Sequence, residues 1–87
     1  MKTIIDNKGR RLEVVRASVV RVYWPYNIEI SDVLDIYMDH RRNIYAWISQ
    51  KKNSISFKGL KGVHLSKRNR VYFGTDMIMK VDLWKQS

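Results

Sequence analysis

Three short polar segments carry arginine and lysine side chains that could bind phosphate groups. They lie at residues 40–43, 50–53 and 67–70, at a spacing typical of successive β-hairpin loops. An arginine guanidinium can clamp a phosphate with two parallel hydrogen bonds, whereas a lysine ammonium acts as a point charge. Alternate loops of a meander project from the same end of a sheet, so we expect loops 40–43 and 67–70 to be neighbours.

The charge of the chain is strongly segregated. The formal net charge is +9, and residues 40–75 hold nine Lys and Arg side chains with no Asp or Glu among them. Residues 1–39 hold six basic and six acidic side chains, and residues 76–87 hold two of each, so both segments have a net charge of zero. A polyanion that binds such a segment relieves its repulsion and releases counterions. The segregation therefore favours a binding face over a surface that serves solubility alone.

Aromatic residues interleave with the basic loops. If the aliphatic residues at positions 44, 46 and 48 face the core, then Tyr45 and Trp47 project outward, with Tyr37 beside them. Exposed rings on a basic sheet can stack nucleobases, or they can form a second sheet interface. The residues predicted to bind nucleic acid are Arg41, Arg42, Lys51, Lys52, Lys58, Lys61, Lys67, Arg68, Arg70, Tyr45 and Trp47.

Short strands are the elements that must position these loops. The alternation of apolar and polar residues predicts strands within 2–6, 12–24, 28–30, 34–38, 44–48, 55–57, 63–65, 71–73 and 77–83. A short helix is the alternative for 12–24 and for the segment that begins at Thr75. Together these segments predict a mainly β or α+β fold, in which short strands form a small antiparallel sheet or barrel with at most one short helix. The length of 87 residues predicts a single domain over 1–87.

Several kinds of site are excluded by composition. The chain has no cysteine, which rules out disulfides, thiolate catalysis and cysteine-based zinc sites. No P-loop, GxGxxG or HExxH motif occurs, and we expect no metal and no cofactor. Neither a signal-peptide core nor an apolar stretch of bilayer-spanning length is present, so we expect a cytoplasmic protein without a membrane partner.

Two segments resemble a known family. Ile5-Asp6-Asn7-Lys8-Gly9-Arg10 resembles the opening hairpin of the AbrB-type swapped-hairpin transcription regulators. Residues 27–39 are similar to the segment that leads into the second hairpin of that family. The resemblance implies a domain-swapped dimer that binds duplex DNA, with Arg10 and Arg11 among its DNA-facing residues.

The function that these observations predict is a small, basic, non-enzymatic nucleic-acid-binding protein. An inhibitor or adaptor that docks on an acidic protein surface is the first alternative, because the same electrostatics serve both. A dimeric AbrB-like regulator is the second. A metal-independent ribonuclease would need His40 or His64 as acid or base, and no Asp or Glu lies near His64 in sequence to orient it.

Overall fold

The structure is a computed structural model that describes residues 2–23, 33–49, 54–55 and 62–84. The mainly β prediction is confirmed: the described residues form strands and turns and include no helix. The strands are β1 Lys2–Ile5, β2 Arg11–Val22, β3 Val33–Met38, β4 Ile44–Ser49, β5 Ser54–Ile55, β6 Val63–Leu65, β7 Arg70–Phe73 and β8 Asp76–Leu83. Within these residues no helix is long and apolar enough to cross a membrane.

The strands form one antiparallel sheet in the order β5-β4-β3-β2-β8-β7-β6, with β1 paired to β2. Strand β2 has five valines among its 12 residues, and β-branched residues favour an extended backbone. Its 12 residues pair with β1 and then β8 along one edge, and with β3 along the other. The sheet is open rather than a closed barrel, although an isolated bridge joins Asn43 to His64 on the end strand β6.

One face of this sheet holds the hydrophobic core. The alternating residues Leu34, Ile36 and Met38 of β3 are buried there, as the sequence pattern predicts. Val15 and Ala17 of β2 pair with β3 and pack on the same side. The other core members are Ile44, Trp47, Val63, Leu65, Val71, Ile78, Met79 and Val81. We call this side the core face and the opposite side the outer face.

A β-bulge in β4 changes which aromatic rings face outward. The register passes from the pair Tyr37–Ala46 to the pair Met38–Ile44, which leaves Tyr45 as the extra residue. Ile44 and Trp47 therefore both face the core, and Trp47 is only 2% exposed. The prediction that Trp47 projects outward is wrong, because simple alternation does not count a bulge. A buried indole has no ring face open to a nucleobase.

A second bulge lies in β8. Val71 pairs with Met79 and Tyr72 with Met77, so Ile78 is the extra residue, and both Ile78 and Met79 are buried. Alternation resumes beyond them: Val81 is buried and Lys80 lies on the outer face.

Candidate nucleic-acid interface

Three hairpin turns of the protein share one backbone geometry. They are the first turn (residues 6–10), the second turn (39–43) and the third turn (66–70). In each, the amide of the first residue donates to the carbonyl of the fifth, at 3.0, 3.0 and 2.9 Å respectively. The amide of the fourth residue donates to the carbonyl of the first, at 3.1, 3.0 and 3.0 Å. That fourth residue has a left-handed backbone, with φ of 81° at Gly9, 67° at Arg42 and 61° at Asn69.

A side chain at the first position completes each turn. An oxygen of Asp6, Asp39 or Ser66 accepts from the amide of the fifth residue, at 2.8, 3.0 and 3.2 Å. The second and third positions supply no side-chain bond to this arrangement, so the turn geometry places no demand on their chemistry. These tip positions carry the exposed residues Asn7, Lys8, His40, Arg41, Lys67 and Arg68.

The second and third turns are in contact, which confirms that loops 40–43 and 67–70 are neighbours. Nε of Arg42 donates to the carbonyl of Leu65 at 2.9 Å. Its Nη2 donates to the carbonyl of Ser66 at 3.2 Å and to Oδ1 of Asn69 at 3.4 Å. The amide of Leu65 donates to the Arg42 carbonyl at 2.9 Å. Arg42 therefore clamps the two turns together, and much of its guanidinium is used inside the protein.

Three cations form a line across the outer face, which we call the cationic row. The register pairs Arg21 of β2 with Lys80 of β8, and Lys80 with Arg70 of β7. Residues directly opposite each other on neighbouring strands project from the same face. Arg70 and Lys80 lie next to the buried Val71 and Val81, so they point away from the core. Among the residues that the structure describes, no member of the row makes an ion pair.

The third turn extends the cationic row at one end. It precedes Arg70 directly, and its tip residues Lys67 and Arg68 are exposed. Neither of these makes an ion pair within the described part of the chain. Five unpaired cations thus occupy one continuous region of β2, β8, β7 and the third turn.

Aromatic rings flank the cationic row on the same face. Tyr23 is 39% exposed, and its ring centroid lies 5.2 Å from Cζ of Arg21 and 5.8 Å from Nζ of Lys80. On the β6–β7 side, His64 and Tyr72 are opposite each other in the register. Their rings stack at a centroid distance of 5.3 Å and an interplanar angle of 13°.

Tyr37 and Tyr45 do not flank the cationic row, and both are half-buried. The Arg10 guanidinium lies 3.9 Å from the centroid of the Tyr45 ring, and the Tyr45 hydroxyl donates to Asp39 at 3.1 Å. Both tyrosines line an apolar pocket of about 400 Å³ beside Ile4 and Leu12. Tyr45 is held on one ring face and at its hydroxyl, so its main contacts are structural.

The carboxylates of Asp6 and Asp39 accept hydrogen bonds within their own turns. Desolvation opposes ionisation of Asp39, but hydrogen bonds from Asn43, the Arg41 amide and Tyr45 outweigh it and lower its pKa. The same balance lowers the pKa of Asp6. Desolvation opposes its ionisation, while hydrogen bonds from Arg10 and from the Lys8 amide favour the charged form. Because both carboxylates act within their own turns, they do not neutralise the cationic row.

Sequence reasoning missed Arg21 and Lys80, because both lie in segments whose net charge is zero. Alternation along β8 indicates an outward Lys80, but only the strand register reveals that it lies between Arg21 and Arg70. Of the predicted residues, Arg41, Lys67 and Arg68 are exposed and Arg70 is half-buried in the cationic row. The prediction for Lys51, Lys52, Lys58 and Lys61 falls outside the described residues.

The two histidines have different surroundings. His64 stacks on Tyr72, and His40 lines a cavity of about 350 Å³ together with Glu13 and Trp84. No carboxylate of the described residues forms a hydrogen bond or ion pair with either histidine. In the same part of the chain, no three His, Asp or Glu side chains converge to hold a metal ion.

Comparison with protein-family models, curated proteins and solved structures finds no match. The similarity to AbrB-type regulators therefore remains a resemblance of two short segments. The first of them does form a hairpin, with the first turn between β1 and β2.

Proposed function

We propose that the protein is a non-enzymatic nucleic-acid-binding protein that contacts phosphates through the cationic row and the third turn. The observation that supports this proposal is the placement of Arg21, Lys80 and Arg70 side by side without an ion pair among the described residues. Lys67 and Arg68 continue the same positive surface.

The physical argument concerns repulsion between neighbouring strands. Adjacent strands lie ~4.8 Å apart, so the three backbone positions of the cationic row span roughly 10 Å. Like charges directly opposite each other destabilise a sheet. A surface that needed only solubility would intersperse both signs of charge, as the outer face does elsewhere with the Arg16–Asp35 pair and with Asp82, two residues beyond Lys80. The cationic row instead places three positive charges side by side. When a phosphate backbone binds along the row, its negative charges neutralise the three cations and remove this repulsion.

The test is binding of labelled DNA and RNA oligonucleotides by the intact chain across a salt series. The logarithm of the affinity should fall linearly with the logarithm of the salt concentration, and Lys80→Gln should reduce the slope by about 1. Lys8→Gln is the matched control, since it removes one exposed lysine from the first turn. The double variant Arg68→Glu/Arg70→Glu should weaken binding at least about tenfold at moderate salt.

Three outcomes would contradict the proposal. One is an absence of binding at low salt. Another is an unchanged affinity in the Arg68→Glu/Arg70→Glu variant. The third is an equal effect of Lys8→Gln and Lys80→Gln, which would mean that net charge alone drives binding. If the protein instead captures an acidic protein with an affinity that largely survives high salt, the partner is a protein surface.

A further inference from the structure

We propose that the bound nucleic acid is single-stranded, and that its bases stack against the His64–Tyr72 pair while the cationic row holds its phosphates. This inference rests on the proposed function. It adds that the ligand is single-stranded, and it assigns base stacking to two residues, His64 and Tyr72, that the sequence alone does not predict as nucleic-acid contacts.

The platform and the cationic row share the outer face at a short separation. Tyr72 lies two residues beyond Arg70 on β7, so their backbone positions are ~7 Å apart and their side chains leave the same face. His64 extends the platform onto β6, directly opposite Tyr72. A phosphate held by Arg70 would therefore place its own sugar and base within reach of these rings.

The two rings already contact each other in the protein alone. Their near-parallel stack at 5.3 Å restricts the rotamers of both side chains, which lowers the entropy cost of presenting them to a base. Both residues are half-buried, which leaves part of each ring accessible. Base stacking on aromatic side chains tolerates any sequence, because every base has a π-face.

The arrangement favours single strands for a geometric reason. In a duplex the bases are paired and stacked on one another, so rings beside the phosphate contacts cannot reach their faces. An unpaired strand can turn its bases towards the sheet while its backbone follows Arg70, Lys80 and Arg21. Tyr23, at the Arg21 end of the row, offers a further partly exposed ring to such a strand.

The experiment compares three oligonucleotides of equal length: oligo(dT), its abasic analogue and a duplex. The abasic strand keeps every phosphate and lacks only the bases. Wild-type protein should bind oligo(dT) at least about tenfold more tightly than the abasic strand. Tyr72→Leu should abolish most of that preference, whereas Tyr72→Phe, which keeps the ring, should retain it. Lys80→Gln should weaken binding of both strands by a similar factor.

A second measurement on the wild-type chain covers the case in which Tyr72→Leu does not fold. Oligo(dT) should shift the ring-proton resonances of His64 and Tyr72 upfield, as stacked bases do, and the abasic strand should not. Equal affinity for the two strands, or preference for the duplex, would overturn this inference while leaving the proposed function intact. Failure to bind any of the three would overturn the proposed function itself.

Discussion

Arg41 and Arg42 are adjacent in the chain and carry the same charge, yet they have different environments. Arg41 is exposed at the tip of the second turn. The Arg42 guanidinium donates to two carbonyls and one side-chain oxygen of the third turn and its flank. A planar guanidinium can serve several acceptors at once, and a lysine ammonium of different reach and geometry cannot replace it.

We therefore expect Arg42→Lys to lower the free energy of unfolding by about 1–2 kcal/mol, since several hydrogen bonds to a charged donor are lost. Arg41→Lys is the matched control and should leave stability unchanged. Urea unfolding measures both variants. Equal stability of the two would show that the Arg42 guanidinium contacts with the third turn contribute nothing to stability.

Asp39 gives the fold a dependence on pH. Its oxygens accept from two amides, the Asn43 side chain and the Tyr45 hydroxyl, and its pKa in the folded protein lies below the ordinary 3.8. A lowered pKa means that the folded protein binds this proton less tightly than the unfolded chain does. The stabilisation is thus fully present above pH 3.8 and is lost as the pH falls through the folded-state pKa.

Asp39→Asn should consequently be less stable than wild type at pH 6 by about 1 kcal/mol, a modest figure because solvent screens this turn. The difference should shrink as the pH approaches 3. Thermal unfolding at several pH values measures it. Asp76→Asn, which changes an exposed carboxylate, is the control. A difference that stays constant with pH would mean that the charge of Asp39 is irrelevant.

Each of the three turns requires a residue with a left-handed backbone at its fourth position. Asn69 supplies it in the third turn, with φ of 61°. Glycine adopts this conformation without a steric penalty and asparagine tolerates it, whereas for alanine it raises the conformational free energy by roughly 1–2 kcal/mol. We expect Asn69→Ala to lower stability by about 1 kcal/mol and Asn69→Gly to change it little. If both variants lose equal stability, the Asn69 side chain rather than its backbone angle is responsible.

The same turns explain which elements were predictable from sequence. Asn7-Lys8-Gly9-Arg10 and the alternating stretches on either side of 39–43 carry local signals for turns and strands, and the structure has them there. The bulges at Tyr45 and Ile78 have no such signal, since they depend on pairing between strands. Each bulge reverses the alternation beyond it, which is why alternation alone predicts the wrong face for Trp47.

The candidate site could be predicted from the sequence only in part. Lys67, Arg68 and Arg70 were found because they are clustered in sequence. Arg21 and Lys80 come from distant segments and join the cluster through the order β2-β8-β7. Net charge by segment cannot reveal a row that runs perpendicular to the strands, because such a row takes one residue from each.

The cationic row should also cost the fold stability, and this links the proposed function to folding. Lys80 stands between two arginines, so Lys80→Glu replaces two repulsive cross-strand pairs by two attractive ones, each worth roughly 0.2–1 kcal/mol. We expect this variant to unfold at a higher temperature than wild type, with a gain that diminishes as salt is added. The same substitution should weaken nucleic-acid binding. Lys8→Glu makes the same change in net charge at the first turn and is the control. If Lys80→Glu is no more stable than Lys8→Glu, the three cations do not repel one another. The central premise of the proposed interface would then fail.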